Sequence, residues 1–121
     1  MSAGPRESGA RRHRVPADFS GALRAREERG WTAGLPAVPP TEDLVREMLA
    51  RPPLDPHRVL GVMEPAKGTV TVEKVAANAV MAGCLPEYFP LVLAAVKAVL
   101  QPQFHVGSTA CTTGGAAPVV M

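Results

Sequence analysis

Aromatic side chains are scarce in this chain of 121 residues: three Phe, one Tyr and one Trp. Proteins that bind single-stranded nucleic acid interleave aromatic stacking platforms with basic residues. Here only Phe19 and Trp31 lie near the basic N-terminal stretch, so no nucleic-acid partner is expected. Cysteine is sparse too, with only Cys84 and Cys111. Two thiols exclude a disulfide framework, and without C-x-x-C spacing they carry no zinc-ribbon signature. Free thiols in a reduced, cytoplasmic setting are the expectation. No apolar h-region follows the N-terminal basic residues, so no secretory signal is expected. The longest apolar run, Leu91 to Leu100, is broken by Lys97 and is far too short to span a bilayer. A P-loop, a dinucleotide fingerprint, an EF-hand, a nucleophile elbow and internal repeats are all missing.

Charge is unevenly placed. Residues 1–30 hold seven arginines against four acidic residues (Glu7, Asp18, Glu27, Glu28), a net charge of +3, while residues 31–121 come to −1. Large apolar residues are rare in the first thirty, and such a segment buries too little surface to offset the entropy of ordering it. The chain therefore divides into a disordered basic arm, residues 1–30, and a helix-rich α/β domain, residues 31–121. An arm of this kind suits folding against a partner subunit. Trp31 either anchors it there or begins the core. A domain of about ninety residues has a marginal core unless something else covers it.

Proline punctuates the chain after Trp31. Leu35-Pro36-Ala37-Val38-Pro39-Pro40 reads as extended, because each proline biases its predecessor away from the helix. Thr41 then caps a short helix carrying Glu42 and Asp43 in its first turn, with Leu44, Val45, Met48 and Leu49 as a narrow apolar stripe, stopped by Pro52-Pro53. Asp55-Pro56 opens another helical turn, Val59 to Met63 forms a short strand, and Glu64 to Gly68 a loop. Thr71 or Thr69 caps a helix over roughly Val72 to Ala82, with a broad face of small apolar residues and Gly83 at the C-terminal glycine position. Along it, Glu73 and Lys74 are expected to be solvated, and Asn78 either braces the turn at Cys84 or faces solvent. Pro86 opens a third helix with Glu87 in its first turn. The run Leu91 to Leu100 is apolar almost all round, as in a buried helix. Phe104-His105-Val106 is a candidate strand, Gly107 to Gly115 a small-residue loop. Val119-Val120-Met121 reads as the start of a buried strand, whose unpaired edge would invite a second chain.

Two stretches are familiar. Gly34-Leu35-Pro36-Ala37-Val38-Pro39-Pro40-Thr41 resembles a "GLPxxPPT" motif. Residues Thr71 to Pro90, TVEKVAANAVMAGCLPEYFP, resemble a "TVEKVAxNAVMAGCxPEYFP" motif. Both are similar to motifs of poorly characterised bacterial proteins associated with the UGSC (seleno)protein family, redox-type proteins in which selenocysteine or cysteine opens a Gly-Ser-Cys motif. The resemblance covers roughly Trp31 to Met121. It implies a longer protein continuing into a glycine- and asparagine-rich half, and no UGSC or CGSC motif occurs here. A second protein subunit supplying that C-terminal half, and completing the sheet, is the partner it implies.

Cys84 is the leading candidate for chemistry. Between a helix-ending glycine and the Pro86 helix start, a thiolate would meet free amides and the positive end of a dipole, making it a nucleophile or a metal ligand. Glu87, three residues on, is a candidate proton carrier. The plainer reading makes Cys84 a small buried hydrophobe at a tight helix junction. A second group joins His105, Cys111, Thr112 and Thr113 in a Gly-rich loop whose amides could cradle an oxyanion. Cys111 would resolve a disulfide formed at Cys84, or bind a transition metal together with Cys84 and His105, a soft donor set suited to zinc, iron or copper. The leading expectation is a small subunit of a heteromeric bacterial enzyme, an oxidoreductase or lyase, acting on a small-molecule substrate through thiol-based redox or carbon–sulfur chemistry. A metalloenzyme subunit with its site at the interface and a non-catalytic structural subunit are the alternatives.

Overall fold

A computed structural model of the chain describes residues 11–32, 35–50, 53–111, 114 and 119. Its first element lies in the segment expected to lack structure. Helix α1 spans Phe19–Glu28, with the Asp18 carboxylate accepting from the Gly21 amide at 2.6 Å. The helix stops where Gly30 adopts φ 67°. There Gly30 N–H donates to Glu27 C=O (2.9 Å) and Trp31 N–H to Arg26 C=O (3.0 Å), the paired bonds of a Schellman motif. Both ends of this helix are capped locally, and one face buries Ala22, Ala25 and Arg26. Residues 1–10 lie outside the described residues.

Helix α2, Glu42–Met48, forms where expected, with Thr41 Oγ1 accepting from Leu44 N–H at 3.4 Å. Asp55-Pro56 makes only a turn, in which Asp55 Oδ1 accepts from His57 N–H at 2.9 Å, because strand β1 already begins at Val59. That strand, Val59–Met63, matches the expectation. Its partner was hidden in the sequence. Strand β2, Gly68–Thr71, returns antiparallel after a turn at Glu64–Lys67, pairing Val62 with Thr69 and Met63 with Gly68, with an irregularity between Val59 and Gly61.

Strand β2 runs straight into helix α3, Val72–Met81, and Thr71 serves both: it pairs with Val59, and its Oγ1 accepts from Lys74 N–H at 3.4 Å. The first free amides of α3 find carbonyls on the preceding loop, Val72 N–H on Arg58 (3.1 Å) and Glu73 N–H on Pro56 (3.0 Å). The extended segment before α2 is tied to the other end of α3 through Val38 N–H and Met81 C=O, 3.1 Å apart. Helix α3 is thus the axis of the fold, packed between α2 and α4.

Three sequence expectations fail from α3 onward. Glu73 is buried, not solvated, because it occupies the α3 face turned toward α2 and the arm, whose Arg12 lies 3.7 Å from its Oε1. Pro86 does open a helical segment, a 3-10 turn over Pro86–Tyr88 running directly into helix α4 over Phe89–Val99, but that helix buries only Phe89 and Leu93 rather than all its sides. A helix apolar but for Lys97 is left half uncovered. Residues Phe104 to Val106 are not a strand either: a 3-10 turn, Pro102–Phe104, is followed by helix α5, Val106–Ala110, and His105 joins them at φ 50°.

The core gathers Met48, Val72, Val75, Ala76, Ala79, Val80, Phe89 and Leu93. Among the described residues the architecture is a small, helix-rich α/β fold with one two-stranded antiparallel sheet. Both strands are edges. The strand expected at Val119-Val120-Met121 falls mainly outside the described residues; Val119 itself is exposed. Among the described residues no single helix is long and apolar enough to cross a membrane. The segments Pro86–Val99 and Pro102–Thr109, which reach that length together, are bent by 74°.

Candidate functional site

Cys84 is held by the way α3 ends. Gly83 adopts φ 76°, Gly83 N–H donates to Val80 C=O (2.9 Å) and Cys84 N–H to Ala79 C=O (2.9 Å). These two bonds make a second Schellman motif and bring Cys84 back over the last turn of α3. The side chain is half-buried against the edge of the core cluster, with Sγ 3.7 Å from Leu85 C=O. The thiol lies at the C-terminal turn of α3, between Gly83 and Pro86, and beyond it the 3-10 turn Pro86–Tyr88 leads into α4 at Phe89. Exposed apolar residues follow it in the sequence. Leu85, Tyr88 and Leu91 are 55%, 60% and 66% exposed and succeed one another at intervals of three.

Glu87 lies exposed on the 3-10 turn, and no hydrogen bond among the described residues joins it to Cys84. Asn78 takes the plainer of its two readings: it is exposed, and its side-chain amide donates to Lys74 C=O at 2.8 Å. It does not brace the Cys84 turn.

The second group does not assemble around Cys84. His105 is exposed, and its carbonyl accepts from Thr109 N–H at 3.1 Å and from Thr109 Oγ1 at 3.2 Å. It lines a shallow pocket of about 380 Å3 with Val62, Glu64, Leu100 and Val106, a lining that includes neither cysteine. Cys111 is exposed at the end of α5, its amide bonded to Gly107 C=O at 3.1 Å. Thr112 and Thr113 lie outside the described residues. Both thiols are free, and among the described residues no three His, Cys, Asp or Glu side chains come together in a set able to hold a metal ion. The expected ligands Cys84, His105 and Cys111 are therefore not gathered within this chain.

A second, larger concavity among the described residues matches none of the sites expected from the sequence. A groove of about 1550 Å3 runs between the arm, with α1 and Trp31, and the facing sides of α2 and α3. Arg26 lies in its wall, 4% exposed, and Nε, Nη1 and Nη2 have no hydrogen-bond partner. Glu73 lies there as well, its Oε2 buried and unpartnered. Above them Arg12 bridges Glu42 (2.8 Å) and Glu73 (3.7 Å). Trp31 meets the His13 ring edge-on at 4.8 Å and carries the Arg29 guanidinium 5.3 Å from its ring centre. A signal for this wall exists in the sequence: Asp18 and Gly30 bracket a helix whose Ala22, Ala25 and Arg26 share one face.

Compared with protein-family models, curated proteins and solved structures, the chain matches none.

Proposed function

We propose that this chain is a small subunit of a heteromeric enzyme whose site is shared with a partner chain and uses Cys84 for thiol-based redox or carbon–sulfur chemistry. One observation carries the reading. Helix α4 is apolar but for Lys97 yet buries only Phe89 and Leu93, and its exposed Leu91 follows Leu85 and Tyr88, exposed as well, in the sequence just after Cys84. An apolar helix exposed on one side is stable in water when another surface covers it. A partner docked there would desolvate the half-buried thiol and complete its surroundings. The exposed edges of the two-stranded sheet support the same reading, since an isolated hairpin is marginal and gains from further strands. The resemblance of Thr71 to Pro90 to the UGSC-associated proteins adds a redox class to it. In such a step a Cys84 thiolate attacks one sulfur of a disulfide substrate; a mixed disulfide forms, and the other sulfur leaves as thiolate.

The test uses the complex isolated through a tagged copy of this chain. Turnover of a small disulfide such as oxidised glutathione is expected to be lost in Cys84→Ser, with the mixed disulfide at Cys84 absent from mass spectra. Unchanged turnover would remove Cys84 from the mechanism and leave a non-catalytic structural subunit. Leu91→Lys is expected to prevent co-purification of the partner, and retention of the partner counts against the docking face.

A further inference from the structure

Arg26 poses a problem that the Cys84 reading does not touch, since Cys84 is not among the residues lining the groove. A guanidinium withdrawn from water with none of its three nitrogens hydrogen-bonded is strongly disfavoured, and such groups are normally paired. Direct pairing with Glu73 is the first candidate. No hydrogen bond or ion pair joins the two among the described residues, however, and Glu73 is engaged at Oε1 by Arg12 instead. The groove wall carries six arginines against two glutamates, so cations remain in excess even if every acid is paired. An anion beyond those that the described residues supply is what the wall lacks.

The remaining features narrow its chemistry. A planar guanidinium takes a carboxylate or a phosphate through two parallel bonds. Glu73 Oε2, also buried and unpartnered in the same wall, would repel a dianionic phosphate and instead calls for an N–H or O–H donor. Val45, Leu49, Leu54 and Met81 supply apolar wall on the body side, with Trp31 opposite. We propose that the groove binds a small carboxylate with an apolar body and a hydrogen-bond donor beside the carboxylate, the chemistry of a 2-amino or 2-hydroxy acid. Its carboxylate pairs with Arg26, its donor meets Glu73, and its apolar body lies against Leu54, Met81 and Trp31. Entry is by way of the arm. Residues 11–15 form one side of the groove with no helix or strand of their own, held there through the Arg12 ion pairs and the His13–Trp31 contact.

The experiment is calorimetric titration of the full chain with leucine, with 2-hydroxy-4-methylpentanoate and with 3-methylbutylamine, which lacks the carboxylate. Saturable binding of at least one of the first two and none of the amine is the expected result. The tighter of the first two shows whether the donor beside the carboxylate is an ammonium or a hydroxyl. Arg26→Gln is expected to weaken that binding at least tenfold and Glu73→Gln severalfold, both with wild-type circular dichroism. Absence of binding by both acids overturns the proposal, as does equal affinity in Arg26→Gln. If Arg26→Gln does not fold, the wild-type comparison decides: an amine that binds as tightly as the acids overturns it too.

Discussion

Gly83 is the residue on which the Cys84 turn depends. At φ 76° a side chain brings Cβ against its own backbone, a cost of roughly 1–2 kcal/mol for residues other than glycine. Nothing lies within 4 Å of where that Cβ would sit, so the cost is purely conformational. Gly83→Ala is therefore expected to destabilise the fold by about 1 kcal/mol, read as a thermal midpoint lowered by several degrees, while Gly68→Ala, equally open and without positive φ, should cost less. The helix-ending glycine was legible in the sequence, because helices so often close on a left-handed residue. Burial of Glu73 was not. Its position in the first turn of α3 suggested a solvated charge, and it is buried because that face turns toward α2 and the arm, whose Arg12 is distant in the sequence.

At the scale of elements, the join between β2 and α3 concentrates two duties in Thr71. Its side chain caps the helix, and its backbone pairs with Val59. Thr71→Ala removes the cap and should cost about 1 kcal/mol, whereas Thr71→Ser keeps the hydroxyl and should recover most of it; urea midpoints of the two variants make the comparison. Helices α2 and α3 were readable because each begins with Thr and an acidic residue close behind it, and carries a stripe of apolar side chains. Strand β2 was not, since Thr69-Val70-Thr71 reads equally well as the approach to a helix cap. The candidate strand at Phe104 to Val106 failed for a related reason. Three residues carry too little periodicity to distinguish strand from turn, and His105 takes the left-handed conformation that breaks a strand.

For the whole molecule, the core is small, and Phe89, the first residue of α4, is fully enclosed within it. Phe89→Ala should cost about 3–5 kcal/mol, a large share of the stability available to a domain of this size, and the isolated chain is expected to lose its cooperative melt by circular dichroism. Partner binding at the α4 face would raise that stability by mass action. Under the proposed function, the variant is accordingly expected to fare better in the complex than alone.

The sequence by itself determined the local elements. Caps, terminal glycines and the 3.6-residue spacing of apolar side chains act within a few residues of one another, and they placed α2, α3 and the Gly83 stop. Tertiary structure alone decided what these elements enclose. Whether Glu73 is buried, whether α4 is covered, whether Cys84, His105 and Cys111 meet, and whether Arg26 finds a partner all depend on contacts between residues far apart in the chain. Such contacts arise from how helices pack across one another, and no local pattern encodes them.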